Sequence, residues 1–291
     1  MEKSTNSRRK KNSQFREVWR RLCKRKTAIF GLVVLLILII TAIFAEQITP
    51  YEKALKMNPK ARLQPPSAEH WFGTDGYGRD LFARILHGGR RSLAIGISAT
   101  AGALFFGWII AALVSYNGGA VDTVVMRIMD IISSVPMTLM ALAVVSALGP
   151  SLENLIIAIA FARIPTFARI IRSSMLSVVD MEYIEAARAG GASALRIILK
   201  HLTPNVSGTM IVQTTMSTAQ LILIAASLSF LGLGVQLPTP EWGALLSEAR
   251  EYMRTAPYLM VFPGIFMILT SLSLNLLGDG LRDALDPKLK S

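Results

Sequence analysis

Apolar residues along the chain gather into six long runs, at about 28–45, 92–116, 131–149, 152–173, 206–233 and 257–278, with polar segments between them. Each run approaches the roughly 20 residues that an α-helix needs to cross a bilayer core. The runs are continuous rather than alternating, which argues against a transmembrane barrel. The pattern predicts an all-α, polytopic membrane protein with about six transmembrane helices.

Composition agrees. Of 291 residues, 52% are hydrophobic, and soluble domains of this size do not carry repeated apolar runs. The net charge of +12 is uneven. Residues 1–27 form a basic tail holding Lys3, Arg8, Arg9, Lys10, Lys11, Arg16, Arg20, Arg21, Lys24, Arg25 and Lys26 against only Glu2 and Glu17. A basic tail directly before an apolar run holds the N-terminus in the cytoplasm and touches anionic membrane lipid; it does not call for nucleic acid. The tail and the run are long for a signal peptide, so the first span is expected to stay uncleaved. Cys23 is the single cysteine, so no disulfide framework exists.

From an internal N-terminus, residues 46–91 fall outside, 92–278 form the membrane core, and 279–291 return as a cytoplasmic tail. Both termini are then cytoplasmic. The outer segment carries eight Lys and Arg, against the usual charge rule, but the first span dominates orientation. Within it, Asp80–Arg91 reads as an amphipathic interfacial helix with Leu81, Ile85 and Leu86 on one side. Gly149-Pro150 marks a tight outer turn, and Trp242 suits the membrane interface.

The most informative polar segment is Asp180–Asn205, DMEYIEAARAGGASALRIILKHLTPN, within a loop at 174–205. Asp180 is placed to cap a helix with Glu182 and Glu185 in its first turns, where the helix dipole favours negative charge. That helix should fail at Gly190-Gly191. Ser193 then caps a second helix with Leu195, Ile198, Leu199 and Leu202 on one face, stopped by Pro204. Ala186, Ala187, Ala189, Gly190, Gly191 and Ala192 leave little side-chain bulk, so another protein can approach the backbone closely. The same smoothness would suit packing against the rest of the chain, and spacing alone does not separate the two.

Inside the spans, Thr209, Gln213, Gln220 and Ser227 share one helical face with Met216 among them. This stripe lines a polar route or serves as hydrogen-bonding glue between helices. Arg163 sits midway along the fourth span, where a cation costs ~2.5–3.5 kcal/mol on insertion scales, so it faces a cavity or a partner. Asp130 is one candidate partner; snorkelling toward Arg169 and Arg172 is the other option. Arg127 and Asp130 are spaced to pair, and Asp279 to cap a last short helix in which Arg282 and Asp286 pair. Catalytic chemistry is thin: there is no Gly-rich phosphate loop with its Lys, no Ser/His/Asp constellation, and His70, His87 and His201 are too scattered for one metal site. No catalytic residue, metal or cofactor is expected in this chain.

EAARAGG, with Pro204 downstream, resembles the cytoplasmic loop motif of bacterial ABC importer permeases through Glu185, Ala186, Ala187, Gly191 and Pro204; His201 and Thr203 are atypical at its end. FGTDGYGRDLFARILHGGRRSL, GGAVDTVVMRIMDIISSVP, SLSFLGLGVQLPTPEWGALLSEAR and LGDGLRDALDP are similar, in order, to segments of the peptide/nickel branch, the dipeptide and oligopeptide "C" subunits. Many of those carry a glutamate where this chain has Ala225-Ala226. The resemblance implies the type I importer permease fold and alternating-access import of di- or oligopeptides, or of a nickel chelate, across the bacterial cytoplasmic membrane. It makes Glu182, Tyr183, Glu185, Ala186, Ala187, Arg188, Gly190, Gly191 and Ala192 a coupling helix against an ATPase. It implies two ATP-binding cassette subunits carrying ATP and Mg, a second homologous permease, and an extracytoplasmic substrate-binding protein. A stand-alone channel and a membrane-embedded enzyme are the alternatives; the first needs no docking loop, and the second lacks paired catalytic groups.

Overall fold

A computed structural model describes residues 16–285. The chain is helical: α1 (16–24), α2 (Lys26–Ile43), α3 (Ala45–Ile48), α4 (Tyr51–Leu55), α5 (Leu81–Asn117), α6 (Gly119–Ser133), α7 (Met137–Leu148), α8 (Leu152–Val179), α9 (Glu182–Ala189), α10 (Ala194–Ile197), α11 (Thr203–Phe230), α12 (Trp242–Ala249) and α13 (Tyr258–Leu285). Among the described residues there is no strand, only an isolated bridge between Thr74 and Asp80. Five helices are long and apolar enough to cross a membrane. The pair α6–α7 qualifies as a sixth span only when taken together, because it bends by 84°. The expected straight third span is therefore a broken one. Pro136 stands at the N-cap of α7, where its missing N–H and fixed φ end one helix and start the next.

Three further expectations are corrected. Asp80 caps α5 by accepting from the Ala83 N–H at 2.8 Å, and the helix runs unbroken to Asn117. Residues 81–91 are thus its first three turns rather than an interfacial helix, and Leu81, Ile85 and Leu86 are buried. Pro204 does not stop the second loop helix. A π-helical turn over Ile198–Leu202 widens the backbone, the Thr203 N–H reaching Ile198 O, so Pro204 falls at the start of α11 and the helix continues. Asp279 caps nothing: it lies within α13, Asp283 pairs with Arg25 at 2.7 Å, and Asp286 is outside the described residues.

Small residues set the helix spacing. On α2, Ala28, Gly31, Leu35, Leu38 and Ala42 are buried at three- and four-residue intervals, the spacing of one helical face. A side chain at Gly31 would meet Ser273 O of α13 at 2.8 Å, and one at Gly107 of α5 would meet Phe167 Cβ of α8 at 2.5 Å. This is the small-residue contact by which helices pack in lipid.

The molecule has two ends. The Arg25–Asp283 pair, the packing of Leu285 beside Gly208 and the stacking of Arg188 on Tyr116 put the start of α2, the end of α13 and the α9–α10 hairpin at one end. The segment 49–80, α12 and the start of α13 form the opposite, loop end: the Tyr258 hydroxyl donates to Gln64 O and Thr74 O, and Trp242 Nε1 donates to Ile85 O at 3.0 Å. Trp242 is buried here rather than at an interface.

Candidate functional site

The hairpin is a smooth outer surface on a deep root. Met181, not Asp180, is the N-cap of α9; Asp180 ends α8 instead. Ile184 is fully buried, packed in one cluster with Ala111, Ala112, Met175, Val179, Ile197 and Leu202. Glu182, Tyr183, Glu185, Ala186, Arg188, Gly190 and Gly191 are exposed. Ala187 and Ala192 are half-buried, packed against the same cluster. They also close the turn. Ala192 N–H donates to Ala187 O and Gly191 N–H to Arg188 O, each at 3.0 Å, with Gly191 at φ +76°. This is a Schellman ending, which needs a residue tolerant of positive φ and seats an apolar pair across the turn.

Ser193 occupies the N-cap of α10 without making a side-chain cap. The expected apolar face divides. Ile197, Ile198 and Leu202 are buried, whereas Leu195 and Leu199 are exposed, as are Tyr183 and Met181 on α9 and its N-cap. The π turn changes the register after Ile197, so the four leucine and isoleucine positions no longer share one face. Asn205 Nδ2 donates to the Tyr183 hydroxyl at 3.1 Å, tying α9 to the start of α11.

The second candidate region lies within the spans. Arg163 on α8 donates through Nη2 to Ser217 Oγ at 3.0 Å and Gln220 Oε1 at 2.8 Å on α11. Neither of its expected arrangements occurs. Asp130 accepts from Arg169 at 2.9 Å, and Asp122 pairs with Arg172. Arg127 does not take Asp130. On α11, Thr209, Gln220 and Ser227 are exposed and Gln213 is half-buried. Met216 packs toward Gly278 of α13, which edges the stripe on that side. Ser217 was missed in the sequence, although it lies four residues after Gln213 and three before Gln220. Gln213 Nε2 donates to it at 3.2 Å.

The loop end holds a buried ionic knot. Asp75 accepts from Arg79 Nε at 2.7 Å and Arg84 Nη1 at 2.5 Å; Glu248 accepts from Arg79 Nη2 at 2.6 Å and Arg84 Nη1 at 2.7 Å. Two cations meet two anions, so part of the positive charge expected to lie free outside is neutralised within the fold. Burial alone pushes the Asp75 carboxyl upward, but Arg84, Arg79 and the backbone N–H groups of Arg79 and Tyr77 outweigh it and hold the group below the usual carboxylate range. Glu241 is buried as well. It caps α12 by accepting from Gly243 and Ala244 N–H, and accepts from Ser92 Oγ at 2.8 Å. Among the described residues no group of His, Cys, Asp and Glu is arranged to hold a metal. His70 meets Asp80 and His87 meets Thr49 O at the loop end, whereas His201 lies beside Tyr183 in the hairpin.

The model of the family of binding-protein-dependent transport system inner membrane components matches residues 103–291, and that of the N-terminal transmembrane domain of oligopeptide transport permease C matches 13–66. A dipeptide transport system permease protein DppC from Alkalihalophilus pseudofirmus is 48% identical over 279 residues, 96% of this chain and 91% of that protein. The glutathione transport system permease proteins GsiD of Pectobacterium atrosepticum and Escherichia coli are 43% and 45% identical, covering 95% and 94% of this chain and 92% and 90% of theirs. An inward-facing structure of the MetNI methionine ABC transporter aligns with a TM-score of 0.54 at 20% identity, over 70% of this chain and 97% of that one, and so shares the fold.

Proposed function

Since the chain belongs to the binding-protein-dependent inner membrane component family, and is the membrane permease subunit of an ATP-binding cassette importer, we propose that its cargo is a di- or oligopeptide and that α9 is the seat of a partner ATPase. The family implies ATPase and substrate-binding partners in general terms. The finer arrangement is our reading: two ATPase subunits with ATP and Mg, one second homologous permease, and a binding protein on the far side of the membrane. Both termini and the hairpin then lie in the cytoplasm.

One observation carries this reading. α9 and its closing turn present Glu185, Ala186, Gly190 and Gly191 to solvent while Ile184 is sunk among the ends of α5, α8 and α11. A push on that surface is delivered to three spans at once, because tightly packed side chains transmit displacement instead of absorbing it. The smooth face lets a groove close around the helix, and Glu185 offers a charge for a basic group within it.

The test is ATP-dependent dipeptide uptake by the full transporter reconstituted in vesicles. Glu185→Lys reverses the interfacial charge, and Gly191→Trp puts bulk and backbone strain on the closing turn. Each is expected to lower uptake more than about tenfold, from interface costs of ~2–5 kcal/mol, while membrane insertion survives. Normal uptake in both variants would refute the docking assignment.

A further inference from the structure

We propose that Arg163 receives a carboxylate of the cargo during its passage through the membrane. This rests on the peptide-permease reading and carries it to the chemistry of one subsite.

Arg163 lies on α8 about 16 Å along the axis from Leu152 and about 24 Å from Val179, by the helical rise. A guanidinium has five N–H donors. Two are taken by Ser217 Oγ and Gln220 Oε1, both uncharged. Nε is buried and bonds to nothing. The other arginines of α8 contrast with it: Arg169 and Arg172 are each paired with an aspartate of α6. Among the described residues Arg163 makes no ion pair. Ser217 Oγ also accepts from Gln213, so the acceptor that aims the guanidinium is itself held in place.

Of the α11 residues that meet Arg163, Ser217 is buried and Gln220 is exposed, as is Ser227 two turns further along the helix. An unneutralised cation at this depth avoids lipid, so it faces a water-filled route or a neighbouring subunit. The unused donors of a planar, permanently charged guanidinium suit a carboxylate. Every unmodified peptide carries an α-carboxylate, so a peptide cargo brings the missing negative charge with it. A resident acid on the second permease would neutralise Arg163 in a different way, and the experiment separates the two.

The complete transporter, with both permeases, the ATPases and the binding protein, is reconstituted in vesicles with this chain as wild type, Arg163→Gln or Arg163→Lys. Uptake of a dipeptide is compared with that of its C-terminal amide. The preference of the binding protein is common to all three and cancels when the free-to-amide ratios are compared. Arg163→Gln is expected to lower that ratio by about tenfold or more, as for loss of a charge-assisted hydrogen bond, and Arg163→Lys by less, since it keeps the charge without the fork. An unchanged ratio, or an equal fall in both uptakes, would overturn the proposal in favour of a structural role such as pairing with the second permease. If Arg163→Gln fails to insert, the ratio for Arg163→Lys decides: a fall supports the subsite and no change overturns it. If the wild type takes up neither peptide, the peptide reading itself fails. If the wild type takes up the dipeptide and the ratio does not move, only the subsite fails.

Discussion

At the loop end, Asp75, Arg79, Arg84 and Glu248 share four short charge-assisted hydrogen bonds, with both arginines buried and Glu248 partly so. At the hairpin end, Glu182, Glu185 and Arg188 stand exposed. Charged side chains are thus used in opposite ways at these two places. The loop end closes these four charges on one another and joins residues 164 positions apart, Arg84 and Glu248, so the knot ties the loop segment to the bundle, while other charges there, such as Lys53, Lys56 and Arg62, stay exposed. The hairpin leaves Glu182 and Glu185 to be satisfied from elsewhere and is held by its apolar root, the Asn205–Tyr183 hydrogen bond and the stacking of Arg188 on Tyr116. What differs is whether these particular charges have partners inside the chain: the knot is closed on itself, whereas Glu182 and Glu185 make no ion pair among the described residues and are left for another surface.

The largest effect should come from breaking the knot. Arg84→Ala leaves two buried carboxylates sharing Arg79, a defect of ~3–5 kcal/mol. The apparent melting temperature of the purified transporter in detergent should fall markedly. An unchanged melting curve would mean that the knot does not tie the loop segment to the bundle.

A smaller effect is expected at the hairpin turn. A Cβ at Gly191 meets no atom within 4 Å, so Gly191→Ala adds only the cost of positive φ, ~1–2 kcal/mol. Melting should barely move, while uptake falls because the turn loosens under an applied push. A loss of stability as large as that of Arg84→Ala would erase the contrast between the two ends.

Much of this architecture is legible in the sequence because it rests on local pattern. The spans follow from apolar length, the hairpin from its Ala and Gly content, and the break between its helices from Gly190-Gly191. What was hidden depends on distant partners or on backbone adjustment. Glu248 and Arg84 carry no mutual signal until the fold joins them. Asp130 looked free for Arg127 or Arg163 until α6 lay along α8 and gave it to Arg169. Trp242 fits a membrane interface by type, yet the acceptor at Ile85 O draws it inside. Pro204 reads as a helix stop unless the preceding turn is π, a state that residue identity alone does not announce. The polar stripe on α11 was visible by periodicity, but its link to Arg163 through Ser217 was not.

Whether the hairpin seats an ATPase in the cytoplasm is tested most directly by thiol labelling. In a Cys23→Ser background, Glu185→Cys is exposed to a membrane-impermeant maleimide in inside-out and right-side-out vesicles. Labelling is expected only in inside-out vesicles stripped of the ATPase subunits, with protection when those subunits are restored. Labelling from the right-side-out face, or labelling that the ATPases leave unchanged, would contradict that seating.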